Sequence, residues 1–425
     1  MINYKYNINF MIKDIDNVIY QYSERITFVT ILDDYFNSVN SAIKVGFFVN
    51  PDMHNKLELR ASKMTYSISI TSNETSPRQN VTTSYKDYYL ENFKIKPVNV
   101  PVTVYKSDNA SENANRNDYI QVIMDFIPET VLTYNRYMCN GIYNNATVND
   151  VLLYLLNKME IPVIYEEPHN NTKYSQIILP PNNLFMSLKF LHQQYGIYNN
   201  GVSMWFKGNL FCFKNRYNSI NTPKINNRNI NNVRIFVDKN ISENFNLYGE
   251  GTKLNSQLNI YEYYTRLEKV LIDDNKIALE ELYGNKYMVY SKNLDGTYNM
   301  TNDLINKSNE DKLKIYWNGI ENPTVVNQYF NEIKNPVTLT IDYNSANLSM
   351  WSPLNRFRFH IKTENILFDR YVNSYFQVSK NEMFFTTNGA EATLQGKVTL
   401  VEIGSIVDDN KHYQYTSTGI NITNI

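Results

Sequence analysis

Residues 147–162, TVNDVLLYLLNKMEIP, mark the point where the periodicity of the chain changes. Thr147 followed three residues later by Asp150 has capping-box spacing, in which each side chain satisfies a backbone N–H left free at a helix start. Val148, Val151, Leu152, Leu155, Leu156 and Met159 then recur on one helical face, and Pro162 closes the segment. Reading onward, a strand is expected around Ser175 to Leu179 and a second helix from near Asn183. Leu184, Phe185, Leu188, Leu191 and Tyr195 form its apolar side, and Gly196 stands where a left-handed C-cap is favoured. Val202–Phe206 and Leu210–Phe213, separated by Lys207-Gly208-Asn209, read as a hairpin. The pattern predicts an α/β lobe over residues 131–215.

On either side the pattern is that of strands. Tyr66-Ser67-Ile68-Ser69-Ile70 and Val100–Val104 alternate with period two, and Ile120–Ile127 is a more continuous apolar run suited to a strand buried on both faces. Residues 1–130 therefore read as a first barrel-like β domain, with exposed loops at Asn73–Ser84 and Lys106–Asp118. An Asn-rich connector containing Pro223 covers 216–232. Strand signals return at Val233–Val237, Lys312–Trp317, Val337–Ile341, Phe357–Ile361 and Lys397–Ile403, with a polar stretch at Asn299–Asp311. These give a second barrel-like β domain with insertions over 233–405, and 406–425 reads as a C-terminal tail. The fold class is mainly β with α+β parts: two barrel-like β domains and an inserted α/β lobe.

Composition narrows the function classes. The chain has 35 Tyr and 21 Phe against 3 Trp, and 43% hydrophobic residues. Such a chain buries sizeable cores, and Tyr suits half-buried sheet faces. With 41 basic and 42 acidic side chains the net charge is −1, without the basic excess of a protein that grips nucleic acid by its phosphates. No run of about 18 apolar residues exists, so no membrane span is expected. Cys139 and Cys212 lie far apart with no metal-knuckle spacing and are expected to be buried free thiols.

No catalytic, cofactor-binding or metal site is expected. His54, His169, His192, His360 and His412 are dispersed, with no HExxH and no Cys/His cluster. Glu166-Glu167, Asp273-Asp274 and Glu280-Glu281 are adjacent in sequence, which in a strand sends the two carboxylates to opposite faces rather than across a sugar-binding cleft. Gly249-Glu250-Gly251 lacks the third glycine of a dinucleotide fingerprint. These readings point away from an enzyme. A cell-wall hydrolase and a carbohydrate-binding protein stand as alternatives, the second weakened by the scarcity of Trp.

Four passages together resemble the tail or baseplate hub family of contractile-tailed bacteriophages, which includes late control protein D and the N-terminal part of type VI secretion spike proteins. TVNDVLLYLLNKMEIP is similar to the family's helix after the first β block. ILPPNNLFMSLKFLHQQYGI, residues 178–197, is similar to its second helix, which introduces the hairpin VSMWFKGNLFCF, residues 202–213. An Asn-rich passage follows. Residues 352–361, SPLNRFRFHI, and 370–403, RYVNSYFQVSKNEMFFTTNGAEATLQGKVTLVEI, are similar to the closing strands of the second barrel. The resemblance implies a structural, non-enzymatic protein of the virion tail baseplate. It further implies a homotrimer whose six barrels surround a channel, adapting the sixfold tail tube to the threefold central spike or cell-puncturing protein. Implied partners are the tail tube protein, that spike and other baseplate proteins, with DNA only as passing cargo.

Overall fold

The structure is a computed structural model that describes residues 4–74, 86–104, 119–198, 201–216, 338–344, 346, 348, 351–353, 356–360, 374–388 and 391–405, and isolated strands within 231–316 and 414–421. The first block contains β1 (Tyr4–Lys13), β2 (Ile19–Tyr22), β3 (Ile26–Asp34), β4 (Ser41–Val49), helix α1 (Pro51–Arg60), β5 (Thr65–Glu74), β6 (Lys86–Pro97), β7 (Val102–Val104) and β8 (Ile120–Pro128). The α/β lobe follows with α2 (Glu129–Asn135), β9 (Met138–Thr147), α3 (Val148–Leu156), β10 (Val163–Tyr165), β11 (Lys173–Asn183), α4 (Leu184–Tyr195), β12 (Val202–Lys207) and β13 (Leu210–Asn215). Beyond it come β14 (Asn231–Phe236), β15 (Thr252–Asn255), β16 (Ile260–Arg266), β17 (Lys269–Asp273), β18 (Tyr287–Lys292), β19 (Tyr298–Met300) and β20 (Leu313–Tyr316). The chain then forms β21 (Thr338–Tyr343), β22 (Arg356–His360), β23 (Ser374–Asn388) and β24 (Glu391–Ser405).

Eight antiparallel strands close a barrel in the order β23-β3-β4-β8-β6-β5-β1-β24, with β24 pairing back to β23. The period of two explains its inside. Tyr6, Ile8, Phe10 and Ile12 of β1 are buried, as are Tyr66, Ile68 and Ile70 of β5 and Val122, Met124 and Phe126 of β8. The Phe10 ring lies 5.0 Å from Phe47, 5.7 Å from Phe126 and 6.2 Å from Tyr66, so side chains fill the interior. Two seams are thin: β1 and β24 share one registered pair, Tyr6↔Ala392, and β6 joins β8 only through Ile95–Pro97.

The hairpin β23–β24 belongs to two sheets at once. Lys380–Thr386 of β23 pair with β3, whereas Phe376 and Gln377 pair with β22. On the other arm Ala392 faces β1, and Gly396–Val401 pair with β21. Register shifts at Tyr375/Phe376 and Val378/Lys380 sit where the hairpin changes sheets, as expected for bulges that re-aim a strand. The sequence reading placed 374–405 wholly in the second β block; the structure instead uses its tip to complete the first barrel. β14, β15, β16 and β22 extend the sheet beyond β23, and β21 and β17 extend it beyond β24.

Other differences are local. Helix α1 lies inside a block read as all strand. Its start is nonetheless ordinary: Asn50 Oδ1 accepts the Met53 N–H at 2.8 Å, Pro51 occupies the first turn, and Asp52 complements the helix dipole. β8 alternates buried and half-buried residues rather than being buried on both faces, because only its inner side meets the barrel core. The passages 75–84, 106–118, 217–230, 301–311 and 406–413 lie outside the described residues, and with them most of the expected loops, connector and tail.

The lobe forms as its sequence indicates. Thr147 Oγ1 accepts the Asp150 N–H, and Asp150 Oδ2 accepts the Thr147 N–H at 2.8 Å, completing the capping box of α3. Asn183 caps α4 through the Met186 N–H at 2.9 Å, and Gly196 follows it with φ 68°. Leu155 and Leu188 are fully buried between these helices and the β9–β11 pair. The hairpin β12–β13, joined in parallel by β10, is buried on both faces. Met204, Phe206, Phe211 and Phe213 point into the lobe core, and Trp205 and Cys212 into the barrel core.

Candidate functional site

Among the described residues, the dispersed polar side chains are not brought into one centre. His54 is buried on α1, with Nε2 2.8 Å from Thr103 Oγ1. The His169 ring meets Tyr198 edge-on at 5.6 Å. His192 Nδ1 accepts the Ile197 N–H at 3.2 Å, and burial pushes its pKa down to about 3. Glu166 and Glu167 follow β10 on the surface of the lobe; the Glu166 carbonyl accepts the Tyr198 hydroxyl at 2.5 Å. Cys139 and Cys212 are both buried and free, and burial raises the Cys212 thiol to about 11, which keeps it an inert thiol. The side chains of Asp273, Asp274, Glu280, Glu281, His360 and His412, and residues 249–251, lie outside the described residues. Among the described residues no three His, Cys, Asp or Glu converge as metal ligands.

Two features of the barrel define what it can do. Its inside is solid, and an eight-strand barrel of this kind has room for packed side chains but none for a polymer. Its outside carries apolar side chains that are not fully buried. Phe28 of β3 and Phe384 of β23 face each other at 5.9 Å on the outer wall, with Phe28 lying over Gly46, where any Cβ would overlap its ring. On the lobe, Ile142 and Ile178 are directly opposed across β9 and β11 and both are exposed.

The junction of barrel, lobe and second β block holds a polar group that sequence reasoning missed. Asp33 sits at the inward phase of β3, after Val29 and Ile31, and is fully buried. Its Oδ2 accepts the Tyr89 hydroxyl at 2.6 Å and the Tyr35 hydroxyl at 3.2 Å. Burial raises its carboxyl pKa, and the hydroxyls of Ser41, Tyr89 and Tyr35 pull it partly back. Burial, and then the Asp33 charge, drive Tyr35 and Tyr89 well above the ordinary phenol range. Tyr35 also meets Trp205 of the lobe edge-on at 6.0 Å. A cavity of about 50 Å³ adjoins this cluster, lined also by Trp205 and Trp351, whose indole N–H groups have no protein partner. A space of that size beside a carboxylate can accommodate water. The signal was present in the sequence: an acid on the apolar phase of an otherwise regular strand.

The comparisons with known proteins agree with this architecture. A family model described as Bacteriophage PBS1 gene 109 protein matches residues 1–403. The chain belongs to that family. Among solved structures, the tail protein from Neisseria meningitidis MC58 superposes with a TM-score of 0.51 at 10% identity, covering 95% of this chain and 98% of that one. A chain of the Francisella PdpA-VgrG complex, in its half-lidded form, superposes with a TM-score of 0.51 at 9% identity, covering 94% of this chain and 58% of that one. At such identities the likeness establishes a shared fold. No curated protein sequence matches the chain.

Proposed function

We propose that this member of the PBS1 gene 109 family is a structural hub protein of a bacteriophage tail baseplate, and that it is not an enzyme. In this reading three copies form a ring that joins the sixfold tail tube to the threefold central spike and contacts other baseplate proteins. The observation that carries it is the filled barrel whose closing hairpin continues into a second sheet. A barrel with no lumen cannot conduct DNA, so a passage must run between barrels. Two β units per chain, fused through one hairpin, supply six wall elements from three chains. Each unit then presents an outer face, such as the Phe28–Phe384 wall, to the next. The near-neutral charge suits copies packed side by side, since strong like charge opposes assembly.

Native mass measurement of the purified chain tests the reading. A trimer is expected; a stable monomer at high concentration would overturn the ring. Zymography on bacterial cell walls tests the non-enzymatic half. No clearing is expected, and a zone abolished by neutralising a single carboxylate would make the hydrolase reading the better one.

A further inference from the structure

The cavity of about 50 Å³ at the junction of barrel, lobe and second β block sets one buried acid in an apolar wall. The wall is formed by Ile31 and Ile43 of the barrel, Leu90 and Phe93 of β6, Trp205 of the lobe and Trp351 of the second block. Asp33, only 5% exposed, stands in the same lining. Among the described residues its carboxylate has three hydroxyl partners, on Ser41, Tyr35 and Tyr89, and no basic one. An aspartate is seldom buried without a cation beside it, because neutral donors alone offset only part of the hydration that a full charge loses.

The cavity meets the surface at the β12–β13 turn. Lys207 and Gly208 line it there; Lys207 is exposed, and a Cβ placed on Gly208 would meet nothing within 4 Å. An apolar passage from an open rim to a single buried carboxylate complements a hydrocarbon stem that ends in an ammonium. The volume takes the ammonium and a carbon or two of that stem, and the rest reaches out past Gly208.

We propose that this cavity binds a primary alkylammonium group, its charge on Asp33 and its stem along the apolar wall. Because the lining draws on the barrel, the lobe and the second block, an occupant holds the three together. Burial favours the uncharged form of Asp33, so the cation binds the form that higher pH supplies. Below the raised folded pKa, one carboxyl proton leaves for solvent as one ammonium enters, and the net charge of the site is unchanged. The other titratable groups around Asp33 are Lys207 at the mouth and the phenols Tyr35, Tyr89 and Tyr343. Those phenols are held well above their ordinary range and stay protonated throughout.

Titration of the full chain with n-butylammonium chloride, the free counterpart of a lysine side chain, tests the site at constant ionic strength by tryptophan fluorescence. Saturation at one amine per chain is expected, with affinity rising by up to about tenfold per pH unit below the Asp33 pKa. Tetramethylammonium, equally charged but broader and without an N–H, should not compete. Asp33→Asn keeps an acceptor for the hydroxyls and should abolish saturation. Lys207→Gln removes a like charge from the exposed turn and should tighten binding about twofold. That variant leaves the core untouched, so the test stands even where Asp33→Asn fails to fold. Nα-acetyl-lysine amide separates the sources: its binding supports a side chain of a partner protein, and binding of n-butylammonium alone supports a free amine. Binding of neither, competition by tetramethylammonium, affinity independent of pH, or affinity undiminished in Asp33→Asn or unchanged in Lys207→Gln would each overturn the proposal.

Discussion

The α/β lobe and the barrel are built on opposite plans. Every strand pair of the lobe joins residues within 131–215, and its helices α3 and α4 carry their own caps. The barrel closes only when β23 and β24 reach strands at the other end of the chain. Tyr6 shows the distance involved: its hydroxyl donates to the Ala346 carbonyl at 2.8 Å and accepts the Ala346 N–H at 2.9 Å, 340 positions away. Closing such loops costs chain entropy before any contact rewards it, so the lobe should form early and the barrel late. The hairpin β12–β13, with one face in each core, is where the two plans meet.

The largest expected effect tests whether the barrel behaves as one unit despite its thin seams. Phe10 packs against Tyr22, Phe47, Tyr66 and Phe126. Phe10→Ala should destabilise the barrel by about 3–5 kcal/mol. Hydrogen exchange should then rise in β23 and β24 as much as in β1 and β5. Exchange confined to β1 and its neighbours would show that closure by the C-terminal hairpin is not cooperative.

The counterpart in the lobe should stay local. Leu155→Ala or Leu188→Ala should each cost about 2–5 kcal/mol, with faster exchange across α3, α4 and β9–β11. The barrel should keep its protection apart from strands touching β12–β13. Uniform loss across both regions would mean that the lobe has no independent stability.

This contrast also explains what was legible in the sequence. The capping box at Thr147, the apolar faces of α3 and α4 and the hairpin turn at Gly208 are local signals, and the structure places each as read. The two units sharing β23–β24 were not legible, because a strand's alternation records which face is buried and not which strand lies beside it. The run Arg370–Ile403 reads as closing strands of the second barrel alone, yet its bulges near Val378 divide it between two sheets. Helix α1 was missed although Asn50 and Pro51 marked its start, because only Met53, His54 and Leu57 of its turns are buried. Asp33 was overlooked for a related reason: an acid in a strand reads as an outward residue unless its phase is checked.

A smaller effect probes the shared hairpin itself. Gly396 of β24 pairs with Tyr343 of β21, and any Cβ there would overlap the Tyr343 ring. That ring cannot easily move: it packs 5.2 Å from Trp351, and its hydroxyl donates to Asn381 Oδ1 at 2.8 Å. Gly396→Ala should cost about 1–3 kcal/mol through overpacking. Thermal unfolding should register the loss, and an alanine variant as stable as wild type would show that the Tyr343–Trp351 stack is free to shift.

The smallest effect, counted per pH unit, separates the two regions by sign. Burial, with a contribution from the Arg216 charge, holds the His192 pKa in the folded lobe at about 3, against 6.5 for an ordinary imidazole. Its contribution to stability is therefore complete above pH 6.5 and is lost as pH falls toward 3. Asp33 runs the other way. Burial raises its carboxyl above the ordinary 3.8, so its contribution is complete below that value and is lost as pH rises through the raised folded value. One proton limits each slope to about 1.4 kcal/mol per pH unit. Acidification from neutrality toward pH 4 should thus loosen α4 and its neighbours through His192, while Asp33 works to tighten β3 and its partners. Hydrogen exchange in chloride buffer, corrected for the intrinsic pH dependence of amide exchange, reads the two regions separately. His192→Gln should flatten the lobe's slope alone and Asp33→Asn the barrel's alone. If one substitution flattened both slopes, the two regions would be a single cooperative unit at equilibrium, and their difference would lie only in the order of folding.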